Sequence, residues 1–230
     1  MCCHSMLWRT GSFPGSTPRS QSRRGSCMDL LPLIPSELDG LPPGCLILGS
    51  GCSRRQLQAQ LDAWRQRETS FELLLLLAAT RTAEWEGISA AGATAASRRL
   101  TALADADLLL NGPGQTRRWP LPPLPAGVSP ALLSHVALQR LPMQPQVAAV
   151  GLEHEATFPH LRLESPAVGP ARCVSTGQAM EPERVKGLWQ QGMRLGAQLR
   201  CPLLLAECVP GGTTTAQAVL TGLGVSVQGL

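Results

Sequence analysis

Five consecutive leucines, residues 73–77, lie in a wholly apolar stretch that ends at Ala79 and constrain the fold more than any other feature of the chain. A helix that buries itself on all sides needs ten or more residues, whereas a strand buried on both faces needs only four to eight. Residues 71–79 therefore read as a strand. Residues 146–150 and 202–205 are short apolar runs of the same kind, as are residues 45–48, closed by Gly49-Ser50-Gly51. Residues 106–110, ended by Asn111-Gly112-Pro113-Gly114, are predicted as a further strand.

Helical patterns fall between these runs. Ser53 is placed to cap a helix over 54–64, with Leu57, Leu61 and Trp64 on one face. Ser129-Pro130 starts a helix through Arg140, with proline at its first position. Residues 182–199 carry Val185, Leu188, Trp189, Gly192 and Leu195 along one side, and 216–220 open a last helix. Buried strands alternating with helices imply an α/β fold: a mostly parallel sheet with helices on both faces, a three-layer, Rossmann-like arrangement. Ligands of such sheets bind beyond the carboxyl ends of the strands.

The formal charge of +4 arises in the first 28 residues, which hold Arg9, Arg19, Arg23 and Arg24 and no acid. The rest of the chain is balanced, so no basic face argues for nucleic acid. The eight cysteines form no C-x-x-C pair and have no histidine at zinc-ligand spacing, so no metal is expected. They read as reduced thiols of a cytoplasmic protein. The longest apolar run is too short to cross a bilayer, and no membrane partner is expected. Residues 1–28 read as disordered, or as the product of an incorrect start with Met28 the true one, in preference to a targeting peptide. Residues 29–230 form the α/β domain.

The candidate site is Ala206-Glu207-Cys208-Val209-Pro210-Gly211-Gly212-Thr213-Thr214-Thr215-Ala216: strand, glycine turn, helix. Gly211 and Gly212 allow close backbone approach. The first amides of the helix have no internal partner and carry the positive end of its dipole, which suits a phosphate or carboxylate. The segment has neither the Gly-Lys-Ser/Thr of a nucleotide-triphosphate loop nor a dinucleotide fingerprint. Its residues alone leave two readings: an anion cradle in which Glu207 holds ribose hydroxyls, or a plain turn whose threonines cap a helix. Gly87-Ile88-Ser89-Ala90-Ala91-Gly92-Ala93-Thr94 is a second small-residue segment, fit either for a flat ligand or for tight packing. Asp105 and Asp107, at the start of a predicted strand, point to opposite faces and do not read as a catalytic pair. His135, His154 and His160 show no nucleophile partner. Cys208 reads as a small packed residue.

Several of these segments resemble the nicotinate-nucleotide–dimethylbenzimidazole phosphoribosyltransferase family, and most closely its uncharacterised prokaryotic branch. They are residues 87–94, 100–106, 121–130, 171–180 and 207–224, in the family's order. The resemblance implies an α/β homodimer that moves phosphoribose from nicotinate mononucleotide to a benzimidazole-type base, without a cofactor, in the making of the cobalamin lower ligand. The family's Gly-Glu-Met-Gly-x-Gly-Asn-Thr loop surrounds phosphate and ribose. Glu207 matches its Glu, Gly211 and Gly212 its glycines, and Thr213 and Thr214 its Asn-Thr pair. Pro210 and Thr213 depart from the motif. Ser89, Ala90 and Gly92 are carried over as base-binding residues. The family's general base is a late Glu, but here Glu207 is the last acid. The resemblance thus implies a partial, C-terminally truncated transferase domain with no assigned catalytic residue and weak or no activity. The alternative is a non-catalytic nucleotide-phosphate-binding or interaction protein.

Overall fold

The computed structural model describes residues 6–8, 38, 41, 52–66, 71–114, 116–121, 129–141 and 143–227. The chain divides into two compact units, residues 11–70 and the remainder. In the smaller unit, Ser53 and Gln56 form a capping box that starts a helix at Arg54. The predicted strand over 45–48 lies outside the described residues.

The larger unit is built on a sheet. β1 (Met6–Trp8), β2 (Glu72–Ala78), β3 (Pro145–Val150), β4 (Leu161–Arg162) and β5 (Leu203–Cys208) lie in the order β1-β5-β2-β3-β4. β5, β2, β3 and β4 are parallel, and β1 pairs antiparallel along the outer edge of β5. Of residues 1–28, only β1 is described. With α1 (Arg54–Arg65), α2 (Ala95–Asn111), α3 (Pro130–Leu138), α4 (Pro182–Gln198) and α5 (Gly212–Gly222), the described residues form an α/β fold with five helices. No helix among them is long and apolar enough to cross a membrane.

Chain direction explains the placement of the helices. β2 passes through α2 and α3 to its neighbour β3, whereas the return through α4 to β5 runs the other way across the sheet. Parallel crossovers are right-handed, so the two connections belong on opposite faces. Burial on the two faces is unequal. Leu73, Leu75 and Leu77 are buried, the latter two packing with Leu103, Ala104, Ala106, Val147 and Phe158, while Leu74 and Leu76 are half-buried.

One expectation is corrected. Residues 106–110 are not a strand but the last turns of α2, which begins at a Thr94–Ser97 capping box and ends at Gly112 (φ +73°). Ten of its seventeen residues are buried, so no single apolar stripe announces a helix. Asp105 and Asp107 consequently lie about 200° apart around a helix, each buried. α3 begins as expected, with Ser129 accepting from the Ala131 amide and Pro130 in the first turn.

Candidate functional site

The order β5-β2-β3 places the turn of the strand sequence between β2 and β5, and their carboxyl ends open side by side there. From β2 the chain enters a 3-10 turn, Arg81–Glu84, held by hydrogen bonds between Arg81 N and Ala171 O (2.8 Å) and between Ala171 N and Ala79 O (3.2 Å). From β5 it passes Val209 and Pro210 into α5. Gly211 sits at φ +78°, and a Cβ there would lie 3.1 Å from the Ala83 nitrogen. Both backbone conformation and space demand glycine, and the two loops touch at this residue. A Cβ on Gly212 would lie 3.4 Å from Oε1 of Glu207, which places that carboxylate over the first residue of α5.

The N-cap of α5 is Gly211, so no side chain caps the helix. Thr213 and Thr214 stand in its first turn, the former exposed and the latter half-buried, while the Thr215 hydroxyl donates back to Gly211 O (3.3 Å). Glu207, Gly211, Gly212, Thr213 and Thr214 are therefore contiguous around one helix start. No described contact joins Ser89, Ala90 or Gly92 to it. Ser89 accepts from the Ala91 amide, and a Cβ on Gly92 would meet Ser97 Oγ at 2.5 Å, so this segment packs onto the start of α2.

The groups least visible in the sequence lie between these segments. Arg98, 6% exposed, donates to the carbonyls of Ala83 (2.5 Å), Gly92 (2.9 Å) and Glu84 (2.9 Å) and pairs with no described carboxylate. Beside it, Arg81 and Arg99 alternate with Glu84 and Glu153 in a closed ring of ion pairs between 2.5 and 3.2 Å. Burial pushes the Glu84 carboxyl up, but hydrogen bonds and charge from Arg81 and Arg99 outweigh it and hold its pKa below the usual range. Three guanidinium groups against two carboxylates leave the cluster net cationic. Arg98, Arg99, Thr80, Ala83 and Pro210 line a narrow hollow, and Arg81, Glu84, Trp85 and Cys173 line an open groove that shares Glu84 with it. One signal for Arg98 and Arg99 was present: two cations near a helix N-terminus, where the dipole disfavours them, call for a specific partner.

Asp105 is 4% exposed and accepts from Ser129 Oγ (3.0 Å) and, at 3.8 Å, from the Cys208 thiol. Burial pushes its pKa up, and these hydrogen bonds only partly offset it. Cys208 is thus a packed core thiol that ties the end of β5 to α2.

No family model matches the chain. Among known proteins it is 81% identical over 201 residues to a UPF0284 protein of Parasynechococcus marenigrum (strain WH8102), covering 87% of this chain and 51% of that one. It is 58% identical over 209 residues to a UPF0284 protein of Prochlorococcus marinus (strain MIT 9313), covering 88% and 52%. It is 44% identical over 185 residues to one from Cyanothece sp. (strain PCC 7425), covering 74% and 46%. The chain spans about half the length of the curated relatives it matches, and its close relatives are named UPF0284 proteins, a name that assigns no activity.

Proposed function

We propose that this chain supplies the nucleotide-binding part of a phosphoribosyltransferase-type protein, which holds a nicotinate mononucleotide-like nucleotide and transfers its phosphoribosyl group to a benzimidazole-type base. The observation that carries this reading is the β5–α5 loop. A positive-φ glycine, a helix start without a side-chain cap and a carboxylate at the strand end meet beside a net cationic arginine cluster. In this reading the amides of Thr213 and Thr214 face the phosphate and Glu207 accepts from the ribose hydroxyls.

Transfer breaks the bond between C1′ and the nicotinate ring nitrogen, and the electron pair leaves with nicotinate. The benzimidazole nitrogen forms the new C1′–N bond, and the proton on its second nitrogen passes to a base. Glu207 is committed to the ribose, so we assign no base within this chain and expect weak turnover. The test pairs calorimetry with an assay for ribazole phosphate, using nicotinate mononucleotide and dimethylbenzimidazole. Saturable binding with little product is the expected result. Absence of binding overturns the reading.

A second reading, a binding protein without turnover, is favoured by the Glu207 geometry alone, since that carboxylate lies against Gly212. It predicts the same binding and no product, even when the remaining half of a UPF0284 chain is supplied.

A further inference from the structure

We propose that Trp85 is the stacking platform for the base of the nucleotide named above, and that Arg81 receives the carboxylate which that base carries. The proposal rests on the nucleotide-binding reading above and adds the residues that read the base.

Trp85 is 62% exposed, yet its mount is rigid. It closes the 3-10 turn, with its amide on Thr82 O (3.4 Å) and its carbonyl accepting from the Ile88 amide (3.4 Å). Thr82 is buried, and its hydroxyl accepts from the Val174 amide at 3.0 Å. The Ala83 and Glu84 carbonyls are held by Arg98. Cys173 lines the groove with Trp85. Its thiol is held below its usual pKa chiefly by hydrogen bonding from Ser175.

An isolated exposed tryptophan needs no explanation in itself. Three features set this one apart. Its groove is shared with Arg81 and Glu84. The turn that carries it touches Gly211 through Ala83, so turn and phosphate loop are neighbours. Arg81 keeps 41% of its side chain exposed while pairing with Glu84 and Glu153, which leaves part of its guanidinium open to a third carboxylate. An N-linked pyridinium is cationic and gains both stacking and cation–π attraction on an indole face.

The test titrates the 230-residue chain with nicotinate mononucleotide, nicotinamide mononucleotide and ribose 5-phosphate. Wild-type protein is expected to bind nicotinate mononucleotide about tenfold more tightly than ribose 5-phosphate, the gain that one stacked base supplies. Trp85→Ala is expected to erase that gain and leave ribose 5-phosphate affinity unchanged, while Trp85→Phe keeps most of it. Nicotinamide mononucleotide is expected to bind less tightly than its carboxylate counterpart. Equal affinities for the two overturn the role of Arg81. An unchanged ratio in Trp85→Ala, or equal weakening of all ligands, overturns the platform. If ribose 5-phosphate fails to bind wild-type protein, the phosphate reading falls and this proposal with it. If it binds and the base adds nothing, only this proposal falls.

Discussion

α2 and α4 are each seventeen residues long and both lie between parallel strands, yet they occupy opposite extremes of environment. α2 buries ten residues, charged ones included, whereas α4 buries none. On α4, Val185, Trp189 and Met193 repeat at four-residue spacing and are 49%, 73% and 63% exposed. The two helices teach different things. α2 is the core, and its polar groups are specified by partners within the described fold. α4 is amphipathic in sequence and half-buries Leu188 and Leu195, but it leaves the stripe of Val185, Trp189 and Met193 open, which is the condition under which helices associate.

Substitutions can break or sharpen that contrast. The largest effect is expected for Leu103→Ala, since this α2 side chain is 1% exposed. Urea unfolding should show a loss of about 2–5 kcal/mol from transfer and cavity terms together. A loss below about 1 kcal/mol would show that α2 is no better packed than α4. Arg98→Ala comes next. It strands three carbonyls and should cost about 2–3 kcal/mol by the same measurement. Gly211→Ala forces a side chain into a left-handed conformation and against Ala83, at about 1–2 kcal/mol, and should weaken nucleotide binding.

A pH series separates the helices in another way. The folded pKa of Asp105 on α2 is raised by burial above its unfolded value. Its contribution to stability is therefore fully present below the unfolded pKa and is lost as pH rises through the folded one. Asp105→Asn should flatten the stability–pH curve from the ordinary carboxylate range upward. A curve unchanged by the substitution would remove Asp105 from that account. The smallest stability effect belongs to Trp189→Glu on α4, within about 0.5 kcal/mol. Sedimentation should nevertheless show less self-association than in wild-type protein. Equal association would mean that the α4 stripe is not a contact surface.

The same contrast explains what the sequence disclosed. α4 was legible because its apolar residues keep one side. The last turns of α2 read as a strand because Ala106, Leu108 and Leu109 are buried around most of the helix, which removes the period. The leucine run gave β2 directly, since a strand is the shortest element that buries so dense a stretch. At the site, Glu207, Gly211 and Gly212 were legible because strand, glycine turn and helix are local and consecutive. Arg98 and Trp85 were not. Arg98 acquires its role from carbonyls up to fifteen residues away, and Trp85 from a groove whose other wall is Cys173. No periodicity encodes such meetings.

Arg98 carries one more consequence. Its guanidinium joins the carbonyls of the 3-10 turn and of Gly92 to the first turn of α2, so these segments cannot fray one at a time. They form a single opening unit with the helix. Amide deuterium uptake in the strand-end loop should therefore follow the rate at which α2 itself unfolds, not the fast rate of an ordinary surface loop.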